Sequence, residues 1–128
     1  MIAVSGIVAR KNKILLCKRC AEGAYSGYWE FPTEPVDGDE TAEDALERCI
    51  FERLSVKINS QTLLGSVDFF EGEGWKILEY KINLTNNFVH LNGYESFKWL
   101  KINELRKCRL LPPHVMFINF LKKSDIFL

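Results

Sequence analysis

Two short apolar runs, residues 2–9 (IAVSGIVA) and 13–17 (KILLC), flank the polar stretch Arg10-Lys-Asn-Lys13, a pattern that predicts two strands joined by a hairpin. The Gly- and Ser-containing segment Ala21 to Gly27 reads as a loop. Trp29-Glu-Phe-Pro32 is too short to classify by period, and Pro32 ends whatever element it forms. From Thr41 the spacing becomes helical. Thr41 is a good N-cap, Asp44 follows three residues later, and Ala45, Leu46, Cys49, Ile50 and Leu54 recur on one face, so a helix is expected over 41–54. Leu63 to Phe70 and Trp75 to Leu84 then predict a hairpin about the turn Glu71-Gly-Glu-Gly74. Ser96 to Leu100 can add a strand, Asn103 can cap a short helix at 104–107, and Pro112-Pro113 opens a last apolar helix of roughly eight to ten residues. Hairpins mixed with helices argue for an α+β fold, a mixed sheet covered by helices, and not for a parallel α/β repeat.

Length and composition narrow this further. A chain of 128 residues with 47% hydrophobic residues can bury one core as one domain over 1–128. Lys plus Arg (17) equal Asp plus Glu (17), with no long run of one sign, so no global field draws in a nucleic-acid polymer or an anionic membrane. The apolar start is interrupted by Arg10, Lys11 and Lys13, giving neither a signal peptide nor a membrane span and pointing to the cytoplasm. The four cysteines, Cys17, Cys20, Cys49 and Cys108, are then expected as thiols. Cys17-Lys-Arg-Cys20 spells C-x-x-C, but no second such pair follows and Cys17 falls in an apolar strand, which favours packing over a zinc or redox role.

The helix at 41–54 carries the informative chemistry. Positions 49, 52 and 53 are related by i, i+3 and i+4 and share a face where carboxylates could bridge a divalent cation. Glu40 and Arg48 can pair across its first two turns, a structural use of the same residues.

The segment from Glu34 to Val56 resembles the Nudix box: Gly, five residues, Glu, seven residues, then Arg-Glu-U-x-Glu-Glu-x-Gly-U, with U aliphatic. Glu40, Arg48, Ile50, Glu52 and Val56 match. Lys18-Arg19, Trp29-Glu-Phe-Pro32, Trp99-Leu100 and Glu104-Leu105 match around it, so the resemblance to the Nudix (MutT-type) hydrolases covers nearly the whole chain. It implies a mixed sheet between helices, an α/β/α sandwich. It also implies hydrolysis of a nucleoside diphosphate linked to a group X, with Mg²⁺ or Mn²⁺ on the helix. The partner is then a small-molecule nucleotide, and the protein a monomer or homodimer. Glu52, Arg48 and Glu40 become the candidate catalytic residues.

The departures fall on the metal site. The box glycine is Glu34, the second glycine of the turn is Asp39, the two outer helix carboxylates are Cys49 and Arg53, and the final glycine is Ser55. Mg²⁺ asks for oxygen ligands, which a thiol and a guanidinium do not offer, so turnover is expected to fall by roughly a thousandfold or more. Many members take a further Glu from the loop before the last strand. That place is Gly93 here, leaving Glu52 and Glu95 as candidate metal ligands.

For substrate, the resemblance points to Arg19 as a phosphate-facing group and to His114 as a reader of the nucleobase edge, against the plainer readings of a surface charge and a helix-start cap. Phe31 is a candidate base-stacking residue, with Phe69, Phe70 and Trp75, although most such rings are core. Cys49 lies one turn from Arg53, which could lower a thiol pKa; with no general base beside it, a small buried thiol is the simpler reading. The pattern leaves open a weak hydrolase or a nucleotide-binding or protein-interaction module without turnover.

Overall fold

The computed structural model describes residues 1–70, 72–86 and 90–127, with Lys123 and Ser124 as backbone only. Seven strands, β1 (Ile2–Arg10), β2 (Lys13–Arg19), β3 (Trp29–Glu30), β4 (Thr33–Pro35), β5 (Ile58–Phe69), β6 (Trp75–Leu84) and β7 (Tyr94–Leu100), form one mixed sheet. The helices are α1 (Ala42–Leu54), α2 (Pro112–Ile118) and α3 (Lys123–Ile126), with a 3₁₀ helix at Ile102–Lys107.

The expected hairpins form. β1 turns into β2 with Ala9 opposite Ile14, and β5 runs antiparallel to β6; Glu71 of the expected second turn lies outside the described residues. β1 also pairs in parallel with β6, Ser5 facing Glu79 in register, and antiparallel with β4, while β2 takes β3 and β7.

Strand alternation sends successive side chains to opposite faces. Val4, Val8, Leu15 and Cys17 join Ala45, Leu46, Ile50 and Leu54 of α1 in one core. Ile7, Ile14 and Leu16 join Leu105, Phe117, Ile118 and Ile126 in a second. The sheet thus lies between α1 and the C-terminal helices, the expected α+β sandwich. Gly6 permits the close approach of α1: a Cβ there would meet Ile82 Cδ1 at 2.9 Å and Ile50 Cδ1 at 3.2 Å.

Several boundaries differ from expectation. β5 starts at Ile58, five residues before Leu63, because it is the edge strand and its first half is largely exposed, with no apolar alternation to mark it. β4 is unmarked in the sequence, since three residues ending in Pro35 carry no period. The short helix expected at 104–107 with Asn103 as its cap is a 3₁₀ helix at Ile102–Lys107, capped by Lys101, whose N–H donates to Glu104 Oε1 at 3.0 Å. α2 spans seven residues, fewer than the eight to ten expected. Among the described residues, no helix is long and apolar enough to cross a membrane.

Candidate active site

The N-terminus of α1 is set by Thr41, whose Oγ1 accepts from the Asp44 N–H at 3.1 Å, as the spacing predicted. Glu40, just outside the cap, accepts from Arg48 Nε at 2.8 Å and Nη2 at 3.0 Å. Its other role is local: the Asp37 N–H donates to Glu40 Oε1 at 3.0 Å. Hydrogen bonds from Arg48 and then from the Asp37 backbone hold the Glu40 carboxyl down at about 2. Arg48 also donates to the Pro35 carbonyl at 2.8 Å, so the pair fastens the loop after β4 to the helix. Glu52, exposed on the same helix, lies 3.6 Å from Arg48 Nη1.

At the far end, Ser55 takes the left-handed conformation (φ 58°) that the pattern reserves for glycine, and its N–H caps the Phe51 carbonyl. Asn92 docks here, its side chain donating to the Glu52 carbonyl at 3.1 Å and to Ser55 Oγ at 3.2 Å.

The two substituted ligand positions do not offer metal donors. Cys49 on α1 is fully buried, and burial, followed by Glu34, pushes its thiol up to about 12. Burial and this upward shift favour the small buried thiol over an activated Cys49. Arg53 points to Glu34, with Nε 2.8 Å and Nη2 2.5 Å from Glu34 Oε1, and its guanidinium lies 5.1 Å from the centre of the Tyr94 ring. Burial opposes the Arg53 charge, but Tyr94, Glu34 and Glu30 together outweigh it, so its pKa is raised. Tyr94 in turn donates to the buried Glu30 at 2.7 Å, and Arg19 reaches the other Glu30 oxygen at 2.5 Å.

Glu30, Glu34 and Glu40 are therefore each neutralised by an arginine. Glu95 on β7 lies 3.7 Å from Lys18 Nζ on β2, and among the described residues no three His, Cys, Asp or Glu side chains gather as a metal-holding group. The donor set, a single exposed carboxylate shared with an arginine, does not fit Mg²⁺ or Mn²⁺. The C-x-x-C pair fares no better: Cys17 is buried in β2 with its pKa raised by burial, and exposed Cys20 donates to the Gly93 carbonyl.

A second polar group lies on the opposite face of the sheet. Trp29 exchanges backbone hydrogen bonds with Arg109 and Leu111, which anchors the start of α2 beside β3. There the His114 and Phe31 rings meet edge to face, centroids 4.8 Å apart, and both are buried. His114 Nδ1 is 3.6 Å from Glu79 Oε1, and Ser5 sits opposite Glu79 across the β1–β6 pairing. The side-chain polar atoms of Ser5, Glu79 and His114 are all buried without a hydrogen-bond partner among the described residues. The chain thus brings Phe31 and His114 together but beneath the surface, whereas the preceding residue Glu30, at the end of β3, pairs with Cys17 and holds Arg19 and Tyr94. Arg19 remains about a third exposed, tied to Glu30 and to the Ala24 carbonyl.

Ser5, Glu79 and the Glu34–Arg53 pair were not singled out in sequence. Glu79 had one visible signal, an acid between the apolar Leu78 and Tyr80 of β6; the pair, 19 residues apart, had only its two departures from the box.

A NUDIX domain model matches residues 1–119. An 8-oxo-dGTP diphosphatase of Buchnera aphidicola is 24% identical over 124 residues, covering 97% of this chain and 95% of that enzyme. One of Proteus vulgaris is 32% identical over 66 residues, 52% of this chain and 59% of that enzyme's length. The crystal structure of a MutT NUDIX hydrolase from Burkholderia pseudomallei superposes with a TM-score of 0.84 at 24% identity, covering 94% of this chain and 97% of that one. With its sheet and helices in the same arrangement and the domain model spanning almost its whole length, this chain belongs to the NUDIX family.

Proposed function

We propose that this chain is a MutT-type nucleoside diphosphate-X pyrophosphohydrolase of weak turnover, acting in the cytoplasm on a small-molecule nucleotide. The observation that carries the nucleotide reading is the unpartnered group Ser5, Glu79 and His114 beside Phe31. Each buried polar group left without a partner costs about 1–3 kcal/mol, and a base edge offering N–H donors and an acceptor would satisfy a carboxylate and an imidazole together. Phe31 supplies the apolar ring for that base. Because all of these side chains are buried, a base reaches them only with a displacement of α2, the helix that carries His114. Arg19, partly exposed at the end of β2, is the phosphate-facing candidate.

The catalytic assignment of Glu52, with Arg48 and Glu40 positioning the loop, and of Mg²⁺ or Mn²⁺ at Glu52 and Glu95, follows the family pattern. The donor set supports it poorly, and no chemical step is derived through a metal. A second reading, a nucleotide-binding module without turnover, is favoured by the Glu34–Arg53 pair. A pyrophosphate- and phosphate-release screen over canonical and oxidised nucleoside triphosphates and nucleotide sugars, with Mg²⁺ and Mn²⁺, separates them. Slow release that disappears in Glu52→Ala supports the hydrolase; saturable nucleotide binding with no release supports the module. Neither binding nor release would overturn both.

A further inference from the structure

Three departures from the family pattern, each a loss by itself, meet at one place. Glu34 stands where the box has glycine, Arg53 where it has a carboxylate, and Gly93 where the loop before the last strand often carries a further acid. The Arg53 guanidinium lies against the Glu34 carboxylate. A Cβ built on Gly93 would lie 2.7 Å from Arg53 Nη1, so the guanidinium occupies the space that a side chain at 93 would need. Gly93 itself is at φ +81°, a conformation that disfavours any such side chain. The face of Tyr94 covers the same guanidinium. A half-buried arginine needs a counter-charge and room, and the two other changes provide one each.

We propose that Arg53 has taken the place of the divalent cation in this box: the Glu34–Arg53 pair, seated in the space left by Gly93, ties β4 to the last turn of α1, and without nucleotide the site takes up no Mg²⁺ or Mn²⁺. A cation beside Glu52 meets two guanidinium groups, Arg48 at 3.6 Å from the Glu52 carboxylate and Arg53 on the adjoining position of the helix. Arg19, Arg53 and Arg48 already match Glu30, Glu34 and Glu40 in turn, so Glu52, exposed and beside Arg48, is the one acid of this group left over to gather a metal. The inference rests on the family assignment. It stands apart from the nucleotide reading, because its test uses metal without nucleotide.

The test is calorimetric titration of the full chain with MnCl₂ alone, beside the variant Glu34→Gly/Cys49→Glu/Arg53→Glu, with near-ultraviolet circular dichroism as the check on folding. The wild-type chain is expected to show no saturable binding, and the folded variant to gain Mn²⁺ affinity by at least about tenfold. Stoichiometric Mn²⁺ binding by the wild type that is lost in Glu52→Ala overturns the proposal, as does a folded variant that gains nothing. Should the triple variant fail to fold, a cycle of Glu34→Gln, Arg53→Met and the double substitution decides on the thermal midpoint. Each single change is expected to lower it and the double to lower it by less than their sum; simple additivity overturns the tie between β4 and α1.

Discussion

Glu79 and His114 face each other across 3.6 Å in the interior of the second core, one from the middle of the sheet and one from the first turn of α2, and neither completes a hydrogen bond there. Ser5, in register with Glu79, adds a third unpartnered group. A core that only had to be stable would place apolar side chains at these positions.

Glu79→Leu is therefore expected to raise stability by about 1–2 kcal/mol, since an apolar side chain removes a buried group that lacks partners. The same change should weaken nucleotide binding at least about tenfold, the loss of one buried charged contact. Urea unfolding and calorimetric titration with nucleotide check the two halves. A variant that loses stability while binding unchanged would assign Glu79 to the core alone.

Glu40 sets an acid limb on stability. Its carboxyl titrates at about 2 in the fold against 4.5 unperturbed, so between these values the unfolded chain binds the extra proton. Its contribution is complete above about pH 4.5 and is lost as pH falls towards 2. Arg48→Met, which removes the first cause of the shift, should flatten the pH dependence of the thermal midpoint in this window. An unaltered acid limb in that variant would contradict the assignment.

The order of elements could be read from the chain because each was encoded locally. Thr41 with Asp44 marked the start of α1, and the apolar runs around Arg10 to Lys13 marked the first hairpin. What escaped depends on distant partners. The parallel pairing of β1 with β6, which sets Ser5 against Glu79, leaves no trace in either strand alone. The first half of β5 carries no strand signal because an edge strand exposed to solvent needs no apolar face. At the site, the loss of ligands at 49 and 53 was plain in sequence, whereas the use made of Arg53 was not. Its partner Glu34 read only as a missing glycine, and Gly93 only as a missing acid.

Ser55 holds a left-handed conformation at φ 58° where glycine is favoured. Ser55→Gly relieves about 1 kcal/mol of backbone strain and forfeits the exposed contact from Asn92, leaving an expected net gain of about 0.5 kcal/mol in urea unfolding. A loss of stability would show that the Asn92 contact outweighs the strain.

The thiols should divide by burial. With the Cys49 thiol pushed up to about 12 and that of Cys17 also raised, neither is expected to react with an aromatic disulfide reagent at pH 8 in the native protein, whereas exposed Cys20 should. Counting thiols before and after denaturation checks this. Rapid native labelling of Cys49, located by peptide mapping, would return it to the list of reactive groups.

The most direct measurement of the whole account is metal-dependent nucleotide turnover by the wild-type chain beside Cys49→Glu/Arg53→Glu. Weak or absent turnover in the wild type, rising by about a thousandfold when the two carboxylates are supplied, is the predicted result, because oxygen ligands for the metal are what the cleft lacks. Brisk Mg²⁺- or Mn²⁺-dependent turnover by the unaltered chain, unimproved or diminished in the variant, would contradict it.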